Sequence, residues 1–390
     1  MFRGSKVHNS AEEVDIIHQV LGFCNSGGTH QQPDVMQIPV SDYRDPTHFQ
    51  HEVDVLFRQF PIIVGHSSQL PEPGRFFTHD GTGMPLLITR TRDGDVKAFL
   101  NVCRHRGARI ENRTCGKANT FACPYHAWTY DLTGALRGYP HAAGFGEIDK
   151  AEFGLIEVPA HERFGLLWVR PTPSDTPIDI DAWLAPMAEQ MASLDLHKHV
   201  VFREWRLQRD MNWHIALEGF QEQYHFCTAH KDTACGAYLD NQGVFVDQYP
   251  HVRHAVPLSN FEKLRGLEPE QWNYRKSFMT QNYLFPCNFL QVMTDHVYVH
   301  SILPVSVDRC VFQCVMLIPE TPSSDKAEKH WAANYQVVRD VFEEDFLIGE
   351  SIQAGLHSMA NSHFTIGRYE SGLQMARKAI EDALAGRLRA

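Results

Sequence analysis

The sequence predicts an α+β protein of two domains, and three observations carry that prediction. From about residue 60 to 170, short apolar runs alternate with period two and are broken by turn residues, the pattern of a β-rich domain. From about 200 onward, apolar-periodic helical stretches flank a set of alternating runs, the pattern of helices on an antiparallel sheet. Between them, Pro171-Thr-Pro-Ser-Asp-Thr-Pro177 reads as a boundary. The expected organisation is a helical segment at 1–50 packing on the second domain, a β-rich domain at 51–170 and a helix-on-sheet domain at 171–390.

Ser10-Ala-Glu-Glu13 is a capping-box pattern, and Val14, Ile16, Ile17, Val20 and Leu21 follow as an apolar face. That helix ends at Gly27-Gly28. A short helix near 53–59 precedes the strand Phe60-Pro-Ile-Ile-Val64. Runs 84–89 and 96–102 are further strands, turned by Arg92-Asp-Gly-Asp95. Thr129 to Leu136 reads as a hairpin and Phe164 to Val169 as the last strand of the domain. Past the boundary, 183–194 is helical and 200–209 a strand. Met211 to Tyr224 has no Pro and near-helical apolar spacing, so it reads as a buried helix. Runs 289–293, 297–303 and 310–318 alternate as antiparallel strands, and 329–356 and 371–385 are helical.

Composition narrows the function. The 390 residues suffice for two domains and a large core. A formal charge of −11 argues against a nucleic-acid partner. No apolar run approaches the roughly 18 residues a membrane span needs, and the first residues lack the apolar core of a signal peptide. Nine cysteines, an odd count, argue against a secreted disulfide framework, and Cys227 and Cys235 are read as thiols with the others outside the clusters. The expectation is a soluble cytoplasmic protein.

Two clusters carry chemistry. Cys103-Arg-His105 and Cys123-Pro-Tyr-His126 supply two thiolates and two imidazoles on separate loops. Such a set suits a tetrahedral zinc, or a [2Fe–2S] cluster with two Cys on one iron and two His on the other, and spacing alone does not choose. The second cluster is Glu222, His225 and His230. His225 and His230 lie about 140° apart on an ideal helix, so both reach one ion only if the helix widens or ends between them. The alternative is two histidines satisfied by local hydrogen bonds. A carboxylate to complete a metal site is offered by Val341-Phe-Glu-Glu-Asp345. There Asp345 alone interrupts the stripe of Val338, Val341, Ile348 and Ile352, while Glu343 and Glu344 share solvated faces. A buried Arg partner for Asp345 is the competing reading.

The flanks of these clusters resemble the terminal-oxygenase α subunits of the Rieske non-haem iron oxygenases. The resemblance rests on Asn101-Val-Cys-Arg-His-Arg-Gly-Ala108, Cys123-Pro-Tyr-His-Ala-Trp128 and Asn212-Trp…Glu218-x-Phe220-x-Glu222-x-Tyr224-His225…His230, with Leu70-Pro-Glu-Pro-Gly74, 93–102 and 164–169 agreeing. Two positions depart from it: His214 stands where relatives carry Lys, and Glu222 where many ring-hydroxylating relatives carry Asp.

The resemblance implies a Rieske domain placed before a helix-grip, START-like catalytic domain. It implies a [2Fe–2S] cluster on Cys103, His105, Cys123 and His126, and Fe(II) on His225, His230 and Asp345. Glu222 would bridge to a cluster histidine of an adjacent subunit in a head-to-tail homotrimer, with a β subunit as a further partner. The implied reaction uses O₂ and electrons from NADH to hydroxylate a small organic substrate. No G-x-G-x-x-G fingerprint follows a strand, so NADH is expected to bind a separate flavin or ferredoxin-type reductase. An aromatic substrate is the first expectation. A monooxygenase or demethylase of quaternary ammonium or methylated amine compounds is the alternative, and Glu222 in place of Asp leans toward it. A Rieske electron carrier with a structural second domain is the non-enzymatic alternative.

Overall fold

The computed structural model describes residues 9–390. The chain divides into two compact units. One runs up to Phe49 and resumes over Phe202–Arg387, and the other comprises Gln50–Val201 with Leu388–Ala390. The second boundary therefore falls at 201, not at the Pro-rich stretch near 170. The segment after that stretch stays with the β-rich unit because its apolar and polar contacts are there. Trp183 packs on Phe60 with ring centroids 5.6 Å apart, and the Leu196 carbonyl lies 2.9 Å from His66 Nε2.

The β-rich unit is built from three antiparallel sheets. Glu157–Val158, Val96–Leu100, Leu86–Arg90, Arg75–His79 and Cys115–Lys117 form the largest, in that order. Thr120–Ala122, Thr129–Asp131 and Leu136–Gly138 form a small meander, and the third sheet joins Ala160–Arg163, Leu166–Val169 and Ile62–His66. The alternation read from the sequence places Phe76, Leu87, Phe99, Phe121, Trp128 and Tyr130 in one core, which also takes in Cys103 and Cys123.

The other unit centres on a seven-stranded sheet. Its order is Val200–Arg209, Arg309–Ile318, Val297–Ser306, Asn288–Val292, Phe278–Leu284, His251–Pro257 and Val244–Gln248. The last three strands were not expected from the sequence. His251–Pro257 and Phe278–Leu284 are buried along their whole length, so no polar-out alternation marks them, and Arg253, His254 and Gln281 interrupt the apolar run. The opening helix Ala11–Ser26 has its capping box at Ser10 and Glu13 and buries Ile16, Ile17 and Val20 against Phe261, Trp272 and Phe278.

The long helix Asp325–Leu356 lies on this sheet, with Phe342 and Phe346 meeting Phe312 at 5.3 and 5.0 Å between centroids. Its buried stripe is Tyr335, Val338, Phe342, Phe346, Gly349 and Gln353. That stripe is offset from the one expected: Ile348 and Ile352 are 47% and 41% exposed. The helix expected over 211–224 is also shorter. It spans Trp213–Glu218, ends at Gly219, and a single further turn forms at Phe226–Ala229.

Candidate metal centres

In the β-rich unit the two Cys/His loops are built alike. The Gly107 N–H donates to Cys103 O at 2.9 Å, and the Ala127 N–H donates to Cys123 O at 2.9 Å. Each turn closes on a left-handed residue, Gly107 at φ 76° and Ala127 at φ 56°. The second carries a Cβ in that region, a conformation held by its surroundings at some cost. Cys103 and Cys123 are buried free thiols, and the His105 and His126 rings stand with centroids 4.7 Å apart. Trp128 stacks on His105 at 5.1 Å with the planes 6° apart. The fit to a cluster shows in what is left over: Nδ1 of both His105 and His126 is buried without a hydrogen-bond partner. Two orphaned imidazole nitrogens beside two buried thiols are what a cluster with one His₂ iron would satisfy. Tyr130 adds a hydroxyl 3.5 Å from Cys103 Sγ. Burial, and then Cys103, push the Tyr130 pKa up, so the hydroxyl stays protonated and can donate to the sulfur.

In the other unit the broken helix solves the angular problem noted above. Because the chain leaves helical geometry after Glu218, His225 and His230 become the residues flanking one short turn, Phe226–Ala229. Their rings face each other at 5.1 Å. Asp345, from the long helix, places Oδ1 3.0 Å from His230 Nε2 and 3.6 Å from His225 Nε2. One donor atom from each of the three lies within 4.8 Å of the others. Donors bound at about 2.1 Å to one ion stand roughly 3 Å apart when adjacent, so little movement would close this set around a cation. Two His and one carboxylate on one side of an ion is the facial arrangement of non-haem iron oxygenases.

The other ring nitrogens are engaged by carboxylates. His225 Nδ1 bonds Glu222 Oε1, and Glu222 Oε2 accepts the His225 backbone N–H at 3.2 Å. His230 Nδ1 is 2.8 Å from Glu344 Oε2, which also accepts from the Thr233 hydroxyl at 2.7 Å. With Nδ1 engaged by a carboxylate, each ring turns its Nε2 toward Asp345. Burial opposes a charged ring at both histidines, but Glu222 and Asp345 hold His225 above its usual pKa, and Asp345 and Glu344 do so for His230. The field at this point favours positive charge. Glu344 was expected to be solvated and is instead a partner of His230. Glu343 pairs with Arg209, so only the position of Asp345 in that run matches the sequence reading. Cys227 and Cys235, expected as thiols, form a disulfide. The chain turns back on the His230 carbonyl, which accepts the N–H groups of Thr233, Ala234 and Cys235, and this brings the two Cα atoms to 4.7 Å.

Two hollows share Glu222, His225 and Asp345. The smaller, about 140 Å³, is walled by Phe226, Tyr238, Tyr298, Met279, Gln281 and Gln291 among others. The larger, about 370 Å³, runs past Ile348, Ile352, Glu218 and Glu370. Phe220, Phe226 and, from the chain after Phe289, Gln291, Met293, His296 and Tyr298 border the smaller hollow, whereas Leu217, Gln221, Cys287 and Asn288 are buried but do not border it.

Comparison with known proteins agrees with this two-centre arrangement. The family model described as Rieske [2Fe-2S] domain matches residues 60–156, and that described as ring hydroxylating alpha subunit (catalytic domain) matches 196–386. The glycine betaine monooxygenase oxygenase subunit of Chromohalobacter salexigens is 32% identical over 195 residues, 50% of this chain but only 43% of that protein. The carnitine monooxygenase oxygenase subunit of Escherichia coli K12 is 27% identical over 334 residues, covering 82% of this chain and 84% of its own length. Among solved structures, a quaternary ammonium Rieske monooxygenase in complex with L-carnitine superposes with a TM-score of 0.76 at 21% identity, over 90% of this chain and 96% of that one. Naphthalene 1,2-dioxygenase from Rhodococcus sp. bound to indole gives 0.74 at 18%, over 96% and 99%.

A Rieske domain followed by this catalytic domain defines a class of oxidoreductase that carries a [2Fe–2S] cluster and a non-haem iron. The chain belongs to that class, as an α subunit of the Rieske non-haem iron oxygenases.

Proposed function

We propose that the chain is the oxygenase component of a multicomponent monooxygenase that hydroxylates a methyl or methylene group of a small quaternary ammonium or methylated amine compound. The balance is R–H, O₂, NADH and H⁺ giving R–OH, H₂O and NAD⁺, with the electrons arriving through a separate flavin or ferredoxin-type reductase. Cys103, His105, Cys123 and His126 would hold the cluster, which relays those electrons one at a time. His225, His230 and Asp345 would hold the iron, which supplies the site of O₂ activation. Glu222 and Glu344 hold the two imidazoles by Nδ1, which would leave Nε2 for the ion, and Glu222 is our candidate for the bridge to a neighbouring subunit.

The observation that carries the reading is the small hollow bordering the triad. At about 140 Å³ it lies below the roughly 300–1,000 Å³ of clefts for larger ligands. Phe226, Tyr238 and Tyr298 in its wall can meet a cation with their ring faces. The aromatic substrate expected first from sequence has weaker support, because curated relatives matched over most of the chain are carnitine and choline monooxygenases. A carrier function leaves the second triad without a purpose. Two measurements test the proposal. Purified protein should contain three irons per chain, where a carrier would contain two. Coupled to a reductase, it should turn over methylated ammonium compounds in preference to benzoate or toluene, and the reverse preference would overturn the substrate class.

A further inference from the structure

Resting on the iron site proposed above, we infer that Cys227 and Cys235 are a reversible thiol–disulfide pair that sets how tightly the chain holds its mononuclear iron. Cys227 stands on the turn Phe226–Ala229, between the two histidines, and Cys235 opens the next turn, Cys235–Ala237. The bridge between them closes a ring of chain with His230 inside it. His225 lies outside that ring and is held by Glu222 of its own segment, whereas His230 is held from the long helix by Glu344.

The ring and the ligand are one hydrogen-bonded unit. Thr233, inside the ring, donates its hydroxyl to Glu344 Oε2 at 2.7 Å, and the same oxygen lies 2.8 Å from His230 Nδ1. The His230 carbonyl accepts the N–H groups of Thr233, Ala234 and Cys235 at 3.2, 3.1 and 3.0 Å. Lys231, Asp232, Thr233 and Gly236 are exposed, so this stretch brings little buried apolar surface of its own to hold it in place. Opening the bridge frees it to fray, and with it goes the bond from Thr233 that steadies Glu344 against His230. Loss of an outer support of a metal-binding histidine costs about 10–100-fold in metal affinity. Ala234 and Ala237 also border the smaller hollow, so the same opening reaches its wall.

The pair is accessible to exchange. Both cysteines are half-buried, which leaves the bridge open to attack by a thiolate from solution. Two molecules of a small thiol, R–SH, reduce it: the Cys227–Cys235 bond breaks, R–S–S–R forms, and the two thiol protons pass to the cysteine sulfurs. The reverse exchange, with R–S–S–R as oxidant, closes it again. The turn on the His230 carbonyl is local in sequence, so it can re-form and return the two Cα atoms to 4.7 Å, inside the usual span of about 4.4–6.8 Å for a bridge. Three other thiols do not compete. Cys287, Cys310 and Cys314 are buried, and burial pushes their pKa values up, so they present little thiolate.

The test uses the folded holoenzyme, treated with dithiothreitol that is then removed by gel filtration. Alkylation read by peptide mass spectrometry should label Cys227 and Cys235 only after that treatment. Release of the mononuclear iron to ferrozine should become about tenfold faster, and oxidised glutathione should restore both the bridge and the slow release. The double variant Cys227→Ser with Cys235→Ser should release iron at the fast rate whether treated or not, and Cys235→Ala alone repeats that arm should the double variant misfold. Reduced enzyme that keeps its iron as long as the oxidised enzyme would overturn the inference while leaving the iron site standing. So would a bridge that yields to dithiothreitol only on unfolding, or a response to dithiothreitol that persists in the double variant. Two irons per chain in both redox states would instead overturn the proposed function, and the inference with it.

Discussion

Three consecutive acids, Glu343, Glu344 and Asp345, are given three different tasks by the 100° step of one helix. Glu343 pairs with Arg209, Glu344 orients His230, and Asp345 faces the two Nε2 atoms. The helical phase read from the sequence singled out Asp345 but for an incomplete reason. Its stripe is not the buried one, since Ile348 and Ile352 border the larger hollow and are partly exposed. Glu344 could not be singled out, because its partner is 114 residues away and nothing local marks it. We predict that Asp345→Ala lowers iron from three to two per chain while the visible absorption of the cluster persists. Glu344→Ala removes only the support of His230 Nδ1, so it should weaken iron binding by about 10–100-fold without abolishing it. Glu344→Gln, which can still accept from Nδ1–H, should recover part of that loss. Iron titration of the metal-depleted proteins measures all three, and equal losses in Asp345→Ala and Glu344→Ala would show that the two carboxylates are not divided in this way.

At the scale of elements, the long helix, the capped first helix and the strands that alternate were legible from sequence. The elements that position the iron ligands were less so. The break after Glu218 has a weak local signal in Gly219, and its cause is tertiary. Helix Ser371–Leu384 crowds the segment that follows: a Cβ added to Gly372 would collide with the backbone oxygen of Gln221, one residue before Glu222. Gly372 is therefore a spacing residue for the iron site although it stands 142 residues from His230 in sequence. On propensity alone Gly372→Ala would favour the helix by about 1 kcal/mol. The clash is with backbone, which cannot rotate away as a side chain would. We predict that the substitution shifts Gln221 and Glu222 and lowers iron occupancy, with a net loss of stability on the order of 1–3 kcal/mol. Thermal unfolding and iron content report on these separately, and a variant more stable than the parent with full iron would refute the close approach.

At the scale of the whole molecule, the Cys/His loops and the His/His/Asp triad belong to different units of the chain, and electron transfer falls steeply with distance. The resemblance read from sequence implies a head-to-tail ring in which one subunit's cluster serves the next subunit's iron. A heterologous interface of that kind closes when its rotation permits. Glu222 holds His225 Nδ1 and borders the larger hollow, and it is the residue we propose for this task. Glu222→Gln keeps the size and an acceptor but removes the charge, so both metals should remain while coupled turnover collapses. A chain with His105→Ala should lose the cluster and keep the iron site. Neither variant alone supports turnover, and within any single chain of a mixed ring one defect is always present. A junction in which the Glu222→Gln chain donates from its intact cluster to the His105→Ala chain has no defect at all. A ring of three that contains both variants has one such junction, whichever variant is in excess, so about a third of its junctions should work. Co-expressed, differently tagged variants purified as mixed rings should therefore recover roughly a third of the activity per mononuclear iron. Mixed rings that form and stay at the level of either parent would place the electron path inside one chain.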